Sequence, residues 1–347
     1  MSGKRILAAL VGALVLSALA VPTVNDLKVT AIPPWGLALD YTVEGATATD
    51  TNLLLYVTAT AGEKSYLARS LIGATNCVNG AHRIYWNMSE DGLASKVSIG
   101  WVSVKYEWPR YCVIDLSAGS TAKRYPVSYL WLPEPIGGWT VEYKTSKIVL
   151  RRIDGPNGAY YAGIFEVTEA QWDRVMGGAS TSTKPKDSLS YHMIRGDVRT
   201  YDWPGTDAVA ADSFMGRLRQ KTGLATLDLP SEEEWAYAAR AGVTTSWLCG
   251  DSVTGLGDYA WYRDNSGYET HPVGALRANA WGLYDVHGNV WEWCLNRQSD
   301  NDFYRVLRGG SYSNDALDCV FSCRNSFNPS VSWFNYGFRL FCRPESK

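Results

Sequence analysis

Seven cysteines and four histidines are the side chains in this 347-residue chain best suited to metal, redox or nucleophilic chemistry. The histidines, His82, His192, His271 and His287, show no metal-ligand spacing such as H-x-x-x-H, and no Ser/His/Asp triad or nucleophile elbow stands out. The cysteines are Cys77, Cys112, Cys249, Cys294, Cys319, Cys323 and Cys342. In an exported protein they default to disulfides, and an odd number leaves at least one thiol free or bound to another chain. Cys77 and Cys112 both fall in the N-terminal region and form a candidate pair; the remaining connectivity stays open. Cys319 and Cys323 add a Cys-x-x-x-Cys spacing. Arg195-Gly196-Asp197 spells an integrin-binding tripeptide, read as incidental. Lys plus Arg number 33 against 35 Asp plus Glu, so no basic field exists to hold nucleic acid.

These residues depend on the elements that carry them. Lys4 and Arg5, the apolar run Ile6 to Leu19 and the site Ala18-Leu19-Ala20 read as a signal peptide over residues 1–20, too short to span a membrane. The expected location is therefore secreted or periplasmic, without a membrane span. Residues 22–133 read as an all-β domain. Its expected strands are Leu37 to Val43, Leu53 to Thr60, Ser65 to Leu71, His82 to Met88, Lys96 to Tyr106, Tyr111 to Leu116 and Tyr125 to Leu132. That spacing predicts an immunoglobulin-like sandwich. Pro133 to Gly138 mixes rigid and permissive residues and marks a linker at 134–138. Residues 139–347 then change texture. Thr168 to Gln171 and Ser231 to Glu234 are capping boxes, and Asp207 can cap a helix bearing Phe214 and Leu218. From Val243 onward loops and short strands dominate. The abundance of Trp (15), Tyr (21) and Gly (32) suits an irregular fold and a binding surface.

Four ordered segments carry a family resemblance. Gly163 to Trp172 (GIFEVTEAQW), Leu229 to Arg240 (LPSEEEWAYAAR), Asn279 to Trp293 (NAWGLYDVHGNVWEW), and Arg305 to Tyr312 (RVLRGGSY) with Gly337 to Leu340 (GFRL) resemble the formylglycine-generating enzyme, or sulfatase-modifying-factor, family. The resemblance implies an irregular α+β fold of the C-type-lectin kind, preceded here by the immunoglobulin-like sandwich. Within the motifs, Trp291 and Trp293 alternate as on a half-buried strand, with Glu292 on the other face, and Arg308 and Arg339 can pair with carboxylates such as Glu234.

The family's oxidase holds copper between two Cys thiolates five residues apart. The second position falls on Cys319, the catalytic candidate if the chain is an enzyme; the first falls on Asn314, whose amide cannot replace a thiolate. An iron branch of the family needs a His-rich ligand set that four scattered histidines do not supply. The family's calcium positions fall on Asp285, Gly288, Val290 and Glu292, which would offer carboxylate and carbonyl oxygens.

Between the closing motifs, Ser313 to Tyr336 mixes aromatic and small polar residues without a period. It resembles the variable region of retroelement-diversified display proteins, which are built on the same fold. The expected contact residues are Tyr312, Asn314, Asp318, Phe321, Phe327, Trp333, Phe334 and Tyr336. The sequence therefore points to an exported protein that binds a protein or glycan ligand through this loop. A formylglycine-generating oxidase, or another metal-dependent oxidase of the family, and a structural surface protein without a specific ligand remain open.

Overall fold

Apolar alternation builds the N-terminal strands. The computed structural model describes residues 22–32, 36–46, 53–61, 64–68, 71–73, 75–88, 91, 101–130, 139–300 and 302–343, so the expected signal peptide and linker lie outside the described residues. The chain divides into two units, Met1–Trp108 and Pro109–Lys347. In the first, β1 (Thr23–Ile32), β2 (Gly36–Glu44), β3 (Leu54–Ala61), β4 (Lys64–Leu67), β5 (Leu71–Gly73), β6 (Gly80–Asn87) and β7 (Trp101–Glu107) form two antiparallel sheets. Their orders are β1-β2-β6-β5 and β4-β3-β7. Leu37, Leu39, Tyr41 and Val43 of β2 alternate inward and share one core with Leu55, Val57 and Ala59 of β3.

The second unit begins earlier than the expected linker. Two strands assigned from sequence to the sandwich, β8 (Tyr111–Asp115) and β9 (Val127–Leu130), belong to the second unit instead: β8 pairs with β10 (Lys147–Gly155), and β9 pairs with β8. Tyr111, Cys112, Val113 and Ile114 of β8 are all buried, because the strand lies between β10 and β9 and is covered on both faces. A strand pattern read from sequence shows that a strand exists but not which sheet takes it. β11 (Gly158–Gly163) continues this sheet, and β12 (Leu227–Asp228) closes it after three helices.

Of those helices, one starts from its predicted cap, one starts from a different cap, and one is additional. Helix α1 (Glu169–Met176) has both halves of its capping box, Thr168 with Gln171, and ends on left-handed Gly177. Helix α2 (Tyr191–Arg195) starts at Ser190 and was not expected. Helix α3 (Phe214–Thr222) is capped by the Ser213 hydroxyl rather than by Asp207; Ser213 directly precedes the first apolar position and its oxygen reaches the Gly216 amide. After β12, α4 (Glu232–Arg240) begins with the Ser231–Glu234 box and closes on left-handed Ala241. Trp172 of α1 stacks on Phe214 of α3 at 5.0 Å, tying two helices into the main core.

Seven short strands complete the unit: β13 (Ala260–Trp261), β14 (His287–Gly288), β15 (Trp291–Arg297), β16 (Arg305–Arg308), β17 (Asn325–Phe327), β18 (Tyr336–Gly337) and β19 (Phe341–Cys342). β13 pairs with β14, β19 joins the large sheet, and the rest form a sheet in the order β17-β16-β15-β18. Because β15 is central there, Trp291, Glu292 and Trp293 are all buried, and the expected half-buried alternation does not hold. The loop between β16 and β18 is the stretch singled out from sequence. No helix among the described residues is long and apolar enough to cross a membrane.

Candidate functional site

The turn from Asp285 to Glu292 sits at the centre of the second unit. Asp285 and Asn289 are both left-handed at φ 56°, and Gly288 is left-handed at 76°. A side chain at Gly288 would overlap the Trp261 carbonyl, which fixes glycine there. The turn brings three buried acids together. Glu292 takes Arg339 in a two-pronged pair, Nε to Oε2 at 2.7 Å and Nη2 to Oε1 at 2.6 Å, while Trp235 Nε1 donates to Oε2 at 2.7 Å. Glu166 accepts from the Val290 amide and from Asn289 Nδ2. Asp285 accepts from the Gly274 amide at 2.7 Å. Burial pushes the Glu166 carboxyl well above the usual range, with the Asp285 and Glu292 charges adding to it. Burial likewise pushes Asp285 up to about 6.

This arrangement does not fit the expected calcium positions. Both Glu292 oxygens are engaged by Arg339 and Trp235, so a cation would have to displace a buried guanidinium. Among the described residues no group of three or more His, Cys, Asp or Glu side chains is placed to hold a metal. Asp285, Gly288, Val290 and Glu292 organise the core.

The copper position fits no better. Asn314 Oδ1 accepts from Trp291 Nε1 at 2.9 Å and from the Ser311 hydroxyl, and its Nδ2 donates to Asp318 at 3.0 Å. It is a hydrogen-bond hub that holds the loop to β15. Cys319 is fully buried, and that burial pushes its thiol up to about 12, away from the thiolate that copper or nucleophilic chemistry requires. Cys323 is half-buried and its thiol is raised as well.

The predicted contact residues divide into two sets. Phe321 is 1% exposed and lies between the His287 ring at 4.4 Å and the Arg240 guanidinium at 4.8 Å, so it belongs to the core and not to a contact surface. Tyr336 is buried against Trp293 and Phe327, and Tyr312 is nearly covered. Asn314 and Asp318, both half-buried, are spent on the hub just described. Trp333 and Phe334, in contrast, are 47% and 50% exposed. Tyr312, Phe334, Trp333 and Phe327 run ring to ring at 6.3, 5.5 and 6.2 Å, an aromatic ridge with its outer half in solvent. Asn335, between the exposed and buried aromatics, donates to Ser311 and Ser313 and clamps the ridge to the GGSY segment.

Comparison with known proteins gives the family. Residues 157–344 match the sulfatase-modifying factor enzyme 1-like domain. The chain belongs to this family. The formylglycine-generating enzyme of Mycobacterium tuberculosis is 39% identical over 185 residues, 50% of this chain and 56% of that enzyme. The chaperone protein LppX of Paenibacillus barcinonensis is 27% identical over 269 residues, covering 66% of this chain and 94% of the relative. The chain thus spans nearly all of one relative but only about half of the enzyme. Among solved structures, Treponema denticola variable protein 1 superposes with a TM-score of 0.45 at 25% identity, over 59% of this chain and 98% of that one.

The disulfides and ion pairs differ from the sequence expectation, while the burial of Arg195 agrees with reading its tripeptide as incidental. No disulfide is formed among the described residues; Cys77 packs in the core of the first unit and Cys112 in the sheet of the second, which removes the reason for pairing them. Arg195 is fully buried against Asp228 at 3.1 Å, so Arg195-Gly196-Asp197 is not presented to an integrin. Arg339 pairs with Glu292 and Arg308 lies near Glu232, while Glu234 pairs with Arg343. Sequence reasoning missed Glu166 and Trp235 as partners of the central turn. Both stand inside the family motifs, but their contacts, 124 and 57 residues away along the chain, leave no local signal.

Proposed function

We propose that this chain is an exported ligand-binding protein whose sulfatase-modifying-factor domain serves as a rigid scaffold for the aromatic ridge. The observation that carries the reading is the exposure of Trp333 and Phe334 on a loop whose neighbours are buried and hydrogen-bonded. Exposed rings held still lose little entropy when a partner covers them, which is how aromatic-rich binding loops gain affinity. The oxidase alternative has less support: one Cys of the copper pair is replaced, and the other is buried and protonated. The relative covered almost end to end is named a chaperone protein, not an oxidase. The partner class is a protein or glycan. On this reading the N-terminal unit, with its two sheets around one core, is an immunoglobulin-like spacer.

The test uses the full chain, a displayed random-peptide library and a glycan array, with wild type and a Trp333→Ser/Phe334→Ser variant side by side. Ligands selected by wild type and lost by the folded variant support the reading. Selection that survives the double substitution, or copper-dependent conversion of Cys to formylglycine in a sulfatase-type peptide, overturns it.

A further inference from the structure

The aromatic ridge ends beside a carboxylate that makes no ion pair among the described residues. Residues 186–189 run along β18: the Lys186 amide donates to the Val167 carbonyl at 2.8 Å, and the Leu189 amide to the Tyr336 carbonyl at 3.2 Å. Between these anchors Ser188 turns left-handed at φ 57°, and Asp187 is left half-buried. Burial, and then the Asp187 charge, raises the Tyr312 phenol above its ordinary value, which sets Asp187 at the Tyr312 end of the ridge. Burial also pushes the Asp187 carboxyl up, and the charges that act on it, Lys186 and Glu169, have opposite signs. The three charged residues of loop 313–336 are already engaged. Asp315 pairs with Arg263, Arg324 pairs with Glu232, and Asp318 takes the Asn314 amide.

We propose that the ridge takes a basic segment of a partner protein, with one arginine or lysine against Asp187 and further cations against the Phe334 and Trp333 rings. The proposal rests on the reading of the ridge as a ligand site and names its partner. Aromatic faces attract cations, tryptophan most strongly, and arginine also stacks on them. A half-buried carboxylate held without a cation gains from one that a partner brings, because the pair forms where water is already partly excluded. An acidic segment would meet Asp187 with like charge. A neutral glycan would cover the rings but leave the Asp187 charge unbalanced.

Fluorescence anisotropy with the full chain tests it, using a labelled, amidated hexa-arginine peptide and the same peptide in citrulline, which keeps the planar shape and loses the charge. Saturable binding is expected for the arginine peptide, and binding at least about tenfold weaker for the citrulline peptide. Trp333→Ser/Phe334→Ser should weaken arginine binding by at least about tenfold, and Asp187→Asn by about threefold to tenfold. Thermal melts without peptide check that each variant is folded. No saturable binding of the arginine peptide overturns the proposal. So does equal binding of the citrulline peptide, or unchanged affinity in either folded variant. A glycan array read alongside separates this failure from failure of the ridge itself. A glycan bound by wild type and lost by the ring variant, with no arginine binding, leaves the ridge a ligand site and removes the basic partner.

Discussion

Replacing Arg339 by Leu should unbalance the central turn in a way that pH reveals. Arg339 is buried with Glu292 at 2.6 Å, and it is the cation that holds down both Glu166 and Asp285. Removing one partner of such a pair costs roughly 3–5 kcal/mol, a large share of the roughly 5–15 kcal/mol that holds a typical domain together. The Gly163 and Tyr284 carbonyls lose a charged donor too, which places the cost at the upper end of that range. The pH dependence follows from the sign of the shifts. Glu166 and Asp285 are already raised by burial, and without Arg339 both rise further. An acid with a raised folded value favours the folded state below its unfolded value, about 3.9 for Asp and 4.3 for Glu, and that contribution is lost as pH rises through the folded value. The deficit of Arg339→Leu against wild type should therefore be largest near pH 8 and shrink toward about pH 5, as these acids take up protons. Urea unfolding at a series of pH values measures it, with midpoint and slope read together. Adding Glu292→Leu should recover part of the loss, because it removes one of the stranded charges. A deficit that is equal at both ends of the range, or below about 1 kcal/mol at all of them, would refute the reasoning that the acids depend on Arg339.

Further outcomes follow from burial and hydrogen bonding. Phe321→Ala should cost roughly 3–5 kcal/mol by urea unfolding, because the ring is 1% exposed and packed between His287 and Arg240. Phe334→Ala, at 50% exposure, should cost less than about 1 kcal/mol while lowering affinity for selected ligands. Asn314→Ala strands Trp291 Nε1 and should cost roughly 1–3 kcal/mol, measured as a lower melting temperature. His287 is held neutral by burial at about 4, with its Nδ1 donating to the Cys319 carbonyl. Its contribution is present above about pH 6.5 and lost as pH falls toward 4, opposing the gain from Asp285 over the same window. His287→Gln should thus show a stability that rises from pH 7 to pH 5 relative to wild type, read from urea midpoints at the two values.

How far the sequence reaches depends on the distance over which each signal acts. Thr168 with Gln171 and Ser231 with Glu234 are local devices three residues apart, and both capping boxes form as read. Strand existence is nearly as local, so Leu37 to Val43 and His82 to Met88 fall on real strands. Sheet membership is not local: Cys112 faces Leu150, and only the fold decides that β8 leaves the N-terminal unit. The motifs around Asp285 and Arg308 name the family because each motif carries its own backbone demands, such as the left-handed turn at Gly288. Chemistry is a harder inference, because carrying a motif over preserves residue types and not their partners. Glu292 keeps the oxygen chemistry that calcium wants, yet Arg339 from 47 residues away has taken both oxygens. Cys319 keeps its sulfur, yet burial removes the thiolate. Phe321 and Phe334 are the same residue type in the same aperiodic loop, and only packing sends one inward under Arg240 and the other into solvent. Composition can mark such a loop as a binding surface, but which of its rings meets a partner is set by the scaffold beneath it.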